Sequence, residues 1–186
     1  MTPGLSVEFQ RCRFTDAIRI GARCLFMLFA VFQIFGSFGV RINTSPSLPV
    51  GLYVRTSDRS SRLVEFCPPE PYARLAIIRG YRDAGNCPDG GAPILKPVIA
   101  ESGDMVEVSL HGLRVNGCDI SNSAAVPTDT KGRALSAWPS GRYEVPAGSV
   151  WVASSYHPRS FDSRYFGPIK TSMIRDHVRP LVTGGK

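Results

Sequence analysis

Lys96 is the one lysine of this chain set in an apolar run, Pro93-Ile94-Leu95-Lys96-Pro97-Val98-Ile99-Ala100. An ammonium held among Ile, Leu and Val loses hydration, so its pKa falls and the neutral amine becomes available as a base. The alternative is a lysine on a strand edge, its stem packed and its charge in water. Ser47 is the matching nucleophile candidate. It lies in Asn43-Thr44-Ser45-Pro46-Ser47-Leu48-Pro49-Val50-Gly51-Leu52-Tyr53, where two prolines lock their own φ and bias the residues before them to extended geometry. A Ser/Pro-rich spacer has the same composition. A third segment, Ser154 to Gly167, concentrates hydroxyls and charges, as either a hydrogen-bonded turn or the wall of a site. Within it Asp162 and Arg164 are spaced to pair. His157 and Asp162 offer a Ser/His/Asp arrangement, a less economical reading than Ser47 with Lys96. A neutral amine beside a serine hydroxyl takes its proton and releases an alkoxide for attack on an acyl carbon.

These residues need a scaffold, and the pattern after residue 40 is one of short strands. Asp104 to Leu110 alternates, His111-Gly112 turns, and Leu113-Arg114-Val115 runs back to an Asn116-Gly117 turn signal. Val150-Trp151-Val152-Ala153 reads as a buried strand and Leu75-Ala76-Ile77-Ile78 as another. Pro68, Pro69, Pro71, Pro88 and Pro93 interrupt the chain between them. The expectation is a mainly β, antiparallel domain with loops, with little helix beyond the N-terminal segment except a turn near the C-terminus.

That N-terminal segment is the most legible part of the chain. Cys24 to Val40 has no charge, and Ile18 with Ile20 to Ala22 extend it towards the roughly 20 residues that span a bilayer. Arg11, Arg13, Arg19 and Arg23 outweigh Glu8 and Asp16, which predicts an N-terminus in the cytoplasm and everything after Val40 outside. The expected organisation is a cytoplasmic tail over 1–17, a membrane anchor or signal segment over 18–40, and an exported domain over 41–186. Retention of the anchor is favoured; cleavage after Gly39, giving a soluble periplasmic protein, is the alternative. Ser47 lies seven residues beyond Val40, so extended chain keeps it within roughly 25 Å of the end of the span.

Composition narrows the classes further. The 186 residues carry a net charge of +7, 43% hydrophobic and 20% charged residues, which excludes a disordered chain. The basic residues are scattered, no recognition helix is visible, and the charges face the wrong compartment for direct contact with nucleic acid. His111, His157 and His177 are isolated from any Cys or carboxylate at ligand spacing, so neither a metal nor a cofactor is expected. Cys67, Cys87 and Cys118 fall in the exported part, where one disulfide can form. Cys87, before the lysine strand, and Cys118, after the Asn116-Gly117 turn, are the expected pair, with Cys67 free; Cys67–Cys87 is the rival.

Together the three segments, in the order S-x-P-x-G-L-Y, L-K-x-V-x-A-x-x-G-D and S-x-D-S-R-Y-x-G behind a membrane anchor, resemble the type I signal peptidase superfamily of Ser/Lys peptidases. They are more similar to its TraF-type conjugal-transfer peptidases, whose proline stands two residues after the serine. The resemblance implies a coiled antiparallel β domain of the signal-peptidase and LexA-like kind. It implies Ser47 as nucleophile, Lys96 as base, and the Ser45 hydroxyl with the Ser47 N–H as oxyanion hole. Ser160 would orient the lysine, and Asp162 with Arg164 would support the site. Pro97 departs from the pattern, standing where signal peptidases usually carry Arg. The implied activity is maturation of a conjugative pilin precursor by hydrolysis or end-joining, in an inner-membrane protein whose catalytic domain is periplasmic. Its implied partners are a membrane-held pilin or preprotein and other conjugal-transfer proteins. A general signal peptidase and a non-catalytic subunit of a transfer apparatus are the alternatives.

Overall fold

The computed structural model describes residues 19–30 and 39–184. Residues 19–30 are helical (α1), and Leu25, Phe26, Met27 and Leu28 are exposed on it. No helix among the described residues is long and apolar enough to cross a membrane. The expected tail over 1–17, together with residues 18 and 31–38 of the expected span, lies outside the described residues. The chain divides into two compact units between Val40 and Arg41.

The second unit is built on two antiparallel sheets. The larger has seven strands in the order β1 (Val40–Asn43), β2 (Gly51–Thr56), β11 (Ile174–Thr183), β3 (Leu63–Phe66), β4 (Ile94–Ala100), β9 (Ser149–Val152) and β10 (Ile169–Lys170). The smaller has four, in the order β7 (Cys118–Asp119), β6 (Gly112–Val115), β5 (Met105–Ser109) and β8 (Gly141–Glu144). The alternation read around residues 104–115 is thus a hairpin. The Asn116-Gly117 pair closes a second one, both residues at positive φ (49° and 83°) as a two-residue turn of this hand requires.

Strand β4 links the hydrophobic clusters. Its burial alternates, so Lys96, Val98 and Ala100 face inward. Val98 packs with Val64, Phe66, Val152 and Phe166, whereas Ala100 packs with Val106, Leu113 and Trp151. Pro97 can stand in this interior strand because the β4/β9 ladder shifts register between Val98 and Ala100. Only its carbonyl is used there, accepting from the Ala153 N–H at 3.1 Å. A third cluster of Leu48, Tyr53 and Val178 lies under the serine loop. Burying Leu48 to 2% exposure ties that loop down by about 2 kcal/mol.

Two expectations are corrected. Leu75–Ile78 is not a strand but the second half of helix α2 (Tyr72–Ile78). Ala73 and Ala76, three apart, are its buried face, and a run of four apolar residues has no period of its own to tell helix from strand. The disulfide joins Cys67 to Cys87, with Cys118 a free, exposed thiol, so Cys87–Cys118 is not formed. Cys67 directly follows β3. The 85–91 loop folds on itself through Gly85 N–H to Gly90 O and Cys87 N–H to Gly91 O, both 2.9 Å, and so presents Cys87 to Cys67. Cys118 is on the edge strand of the other sheet.

Candidate active site

Ser47 sits in the loop between β1 and β2, and Lys96 projects inward from β4 opposite Val64. The loop leaves β1 at Asn43 and enters β2 at Gly51. There φ is +153°, and any side chain would collide with the Val182 carbonyl of β11, so only glycine lets the strands close. The fold brings the serine and lysine together. Lys96 Nζ donates to Ser47 Oγ at 2.6 Å, and both side chains are buried. Burial pushes the Lys96 amine down to about 8; the Asp162 carboxylate opposes this and the Arg164 guanidinium adds to it. An amine at that level is half neutral at pH about 8, and in its neutral form the same contact runs in reverse, with the Ser47 hydroxyl donating to the nitrogen.

Ser45 belongs to the same cluster. Its Oγ lies 2.9 Å from Ser47 Oγ and accepts the Ser47 N–H at 3.3 Å. The two groups expected to form an oxyanion hole are therefore bonded to each other at rest. Ser160 Oγ is buried in the wall of the same cavity and has no hydrogen-bond partner among the described residues. The cavity, about 470 Å³, is also lined by the apolar or aromatic Ile94, Leu95, Tyr81, Phe161 and Tyr165 and by charged Arg82, Asp129 and Arg159.

Asp162 and Arg164 pair at 2.7 Å with almost no exposure. Asp162 accepts from Arg164 Nε, Arg164 Nη2 and the Ser154 N–H, and it caps the short helix α3 (Ser163–Phe166) by accepting the Arg164 N–H. Arg164 donates onward to the carbonyls of Asn122, Pro158 and Ser154. A buried ion pair is costly to desolvate, and here the groups are satisfied on every side. Ser154 carries the support to the site, because its Oγ donates to the Ser47 carbonyl. His157 lines the cavity, but its Nδ1 accepts from the Arg159 N–H and it makes no bond with Asp162, so no Ser/His/Asp relay is assembled. No group of three His, Cys, Asp or Glu among the described residues is placed to hold a metal.

Two side chains with no role expected from sequence emerge. Ser154 had no signal beyond standing among other hydroxyls. Asn43 did have one: Asn two residues before a serine in a Pro-rich loop is the pattern of an Asx-turn.

The family profile described as signal peptidase, peptidase S26, matches residues 14–182. The chain belongs to this family. This S26 peptidase is 39% identical over 152 residues to the plasmid transfer protein TraF of Escherichia coli, covering 78% of this chain and 83% of the relative. A second TraF from the same species is 34% identical over 174 residues, with 92% and 97% covered. A probable conjugal transfer protein TraF of Sinorhizobium fredii is 41% identical over 150 residues, with 78% of each covered. Among solved structures, a signal peptidase I from Enterococcus faecalis V583 overlaps 66% of the peptidase and 97% of its own chain. Its TM-score is 0.36 and its identity 21%, too distant to inform the site.

Proposed function

We propose that this S26 peptidase is a membrane-associated serine endopeptidase that matures a conjugative pilin precursor, with Ser47 as nucleophile and Lys96 as general base. The observation that carries this reading is the 2.6 Å contact between Ser47 Oγ and a buried amine whose pKa is lowered to about 8. Neutral Lys96 takes the Ser47 proton as Oγ attacks the scissile carbonyl. The developing oxyanion replaces Ser45 Oγ as acceptor of the Ser47 N–H, and the freed Ser45 hydroxyl turns to donate to it. One such donor is typically worth about 3 kcal/mol in the transition state. The Lys96 ammonium then gives its proton to the leaving amine, and Ser47 holds the acyl group as an ester. Ser160 Oγ makes no bond to the amine at rest and is the acceptor left to orient it once Ser47 Oγ attacks, while Asp162 and Arg164 hold Ser154 and through it the Ser47 carbonyl.

The assignment to conjugation rests on relatives named as plasmid and conjugal transfer proteins. The apolar N-terminal segment supports an inner-membrane location with the catalytic unit in the periplasm, facing a substrate held in the same bilayer. Attack on the ester by water releases a linear product; attack by the amine of another chain end joins the ends and leaves a product lighter by one water. The test is co-expression of the full chain with a candidate pilin precursor, read by intact mass. Processing should occur with the parent and be absent with Ser47→Ala at unchanged circular dichroism. Full processing by Ser47→Ala overturns the assignment.

A further inference from the structure

Asn43, the last residue of β1, is 8% exposed and makes four hydrogen bonds, all to the backbone of the serine loop. Its Oδ1 accepts from the Ser45 N–H at 3.2 Å. Its Nδ2 faces three carbonyls: Ser45 at 2.9 Å, Pro49 at 3.1 Å and Leu48 at 3.2 Å. Two N–H bonds shared among three acceptors draw the loop around one side chain, with Ser47 at the centre of the arc. These carbonyls belong to a turn, not to a sheet ladder; the bond to Leu48 is buried, and the Pro49 carbonyl also accepts from the Tyr53 hydroxyl at 2.7 Å. A separate side chain, Ser154, donates through Oγ to the carbonyl of Ser47 itself.

We propose that Asn43 is a positioning residue for the peptidase reaction: its amide group clamps the backbone of residues 45–49 so that the Ser47 hydroxyl and N–H face the lysine and the cavity. This rests on Ser47 being the nucleophile. The clamp acts through the loop and not through Lys96, which is fixed on β4 between β3 and β9. Losing it therefore slows attack by Ser47 while leaving the environment of the amine as it was. A side chain that merely stabilised the fold behaves differently. Its loss loosens the core, water reaches the buried lysine, and the pH at which activity appears moves up towards that of an ordinary lysine.

The test uses the full chain in detergent micelles with p-nitrophenyl acetate, followed by nitrophenolate release and by the acetyl mass on the Ser47 peptide, with Ser47→Ala as background. Asn43→Ala should acylate at least tenfold more slowly, with the midpoint of its pH profile still near the parent's. Asn43→Asp keeps the shape and the Oδ1 acceptor but turns a carboxylate towards the three carbonyls, and should be at least as slow. Val178→Ala, which opens the core under the loop without touching its hydrogen bonds, should stay within about threefold of the parent when corrected for folded fraction. Asn43→Asp at the parental rate overturns the clamp. So does a loss in Asn43→Ala that matches Val178→Ala at equal stability, or one accompanied by an upward shift of the midpoint. Parental acylation of Ser47→Ala brings down the nucleophile assignment instead, an outcome distinct from any of these.

Discussion

Replacing Lys96 by Met should abolish activity and make the protein more stable. The amine is held at about 8, against 10.5 for lysine in water. Below pH 8 both the folded and unfolded chains carry the proton, and the folded one carries it at a desolvated site. At 1.36 kcal/mol per pK unit that cost is about 3 kcal/mol at pH 7. Between pH 8 and 10.5 the unfolded chain binds more protons than the folded one, so the parent gains stability as pH rises through this window. Above 10.5 the penalty is gone. Methionine has nearly the same length and no charge to desolvate, but it forfeits the hydrogen bond to Ser47, worth about 1 kcal/mol. Lys96→Met should therefore exceed the parent by about 2 kcal/mol at pH 7, with the advantage falling to nothing or slightly below as pH passes 10. Urea unfolding at pH 6, 7, 8, 9 and 10, followed by fluorescence of Trp138 and Trp151 in the core, measures both. A variant less stable than the parent at pH 7 refutes the reasoning, as does a difference that does not change with pH.

Lys96→Arg should be inactive at every pH, because a guanidinium stays protonated; recovery at high pH would exclude a proton-accepting role. The parent's activity should rise with pH through about 8 as the amine becomes neutral, and a rate already flat at pH 6 would contradict a base of that pKa. Cys67→Ser should lower stability by about 3 kcal/mol, the chain-entropy value for a loop closed across 20 residues, and should leave Cys118 equally reactive to a thiol reagent. A reporter active only outside the cytoplasm, fused after Lys186, should be active in cells; an inactive, intact fusion reverses the proposed orientation.

The parts of the site that were legible in sequence are those where residue types conflict with their surroundings. A lysine inside an Ile/Leu/Val run and a serine between prolines are anomalies, and the fold resolves them by placing the two in contact. The β5–β6–β7 region was legible because alternation and Asn-Gly act within a few residues. Leu75–Ile78 was not, since four apolar residues in a row suit a helix and a strand alike until Ala73 and Ala76 find something to pack on. The disulfide was not either: Cys87 reaches Cys67 only because its loop curls through Gly85, Gly90 and Gly91, a contact decided by the loop's own backbone. Ser154 acts on a main-chain carbonyl, which every residue has, so no partner residue marks it, whereas Asn43 was marked only by its Asx-turn spacing to Ser45.

The position of β11 has a consequence for how the protein comes into being. Strand β2, which leads away from the serine loop, and strand β3, which neighbours the lysine strand, never pair with each other; β11 lies between them and pairs with both. The half of the sheet that holds Ser47 and the half that holds Lys96 are thus joined by the strand made last among those described, residues 174–183. In a growing chain those two halves of the sheet therefore share no strand until residues 174–183 have emerged. Under the proposed Ser47/Lys96 mechanism, order of synthesis thus delays assembly of the pair until β11 has joined the sheet.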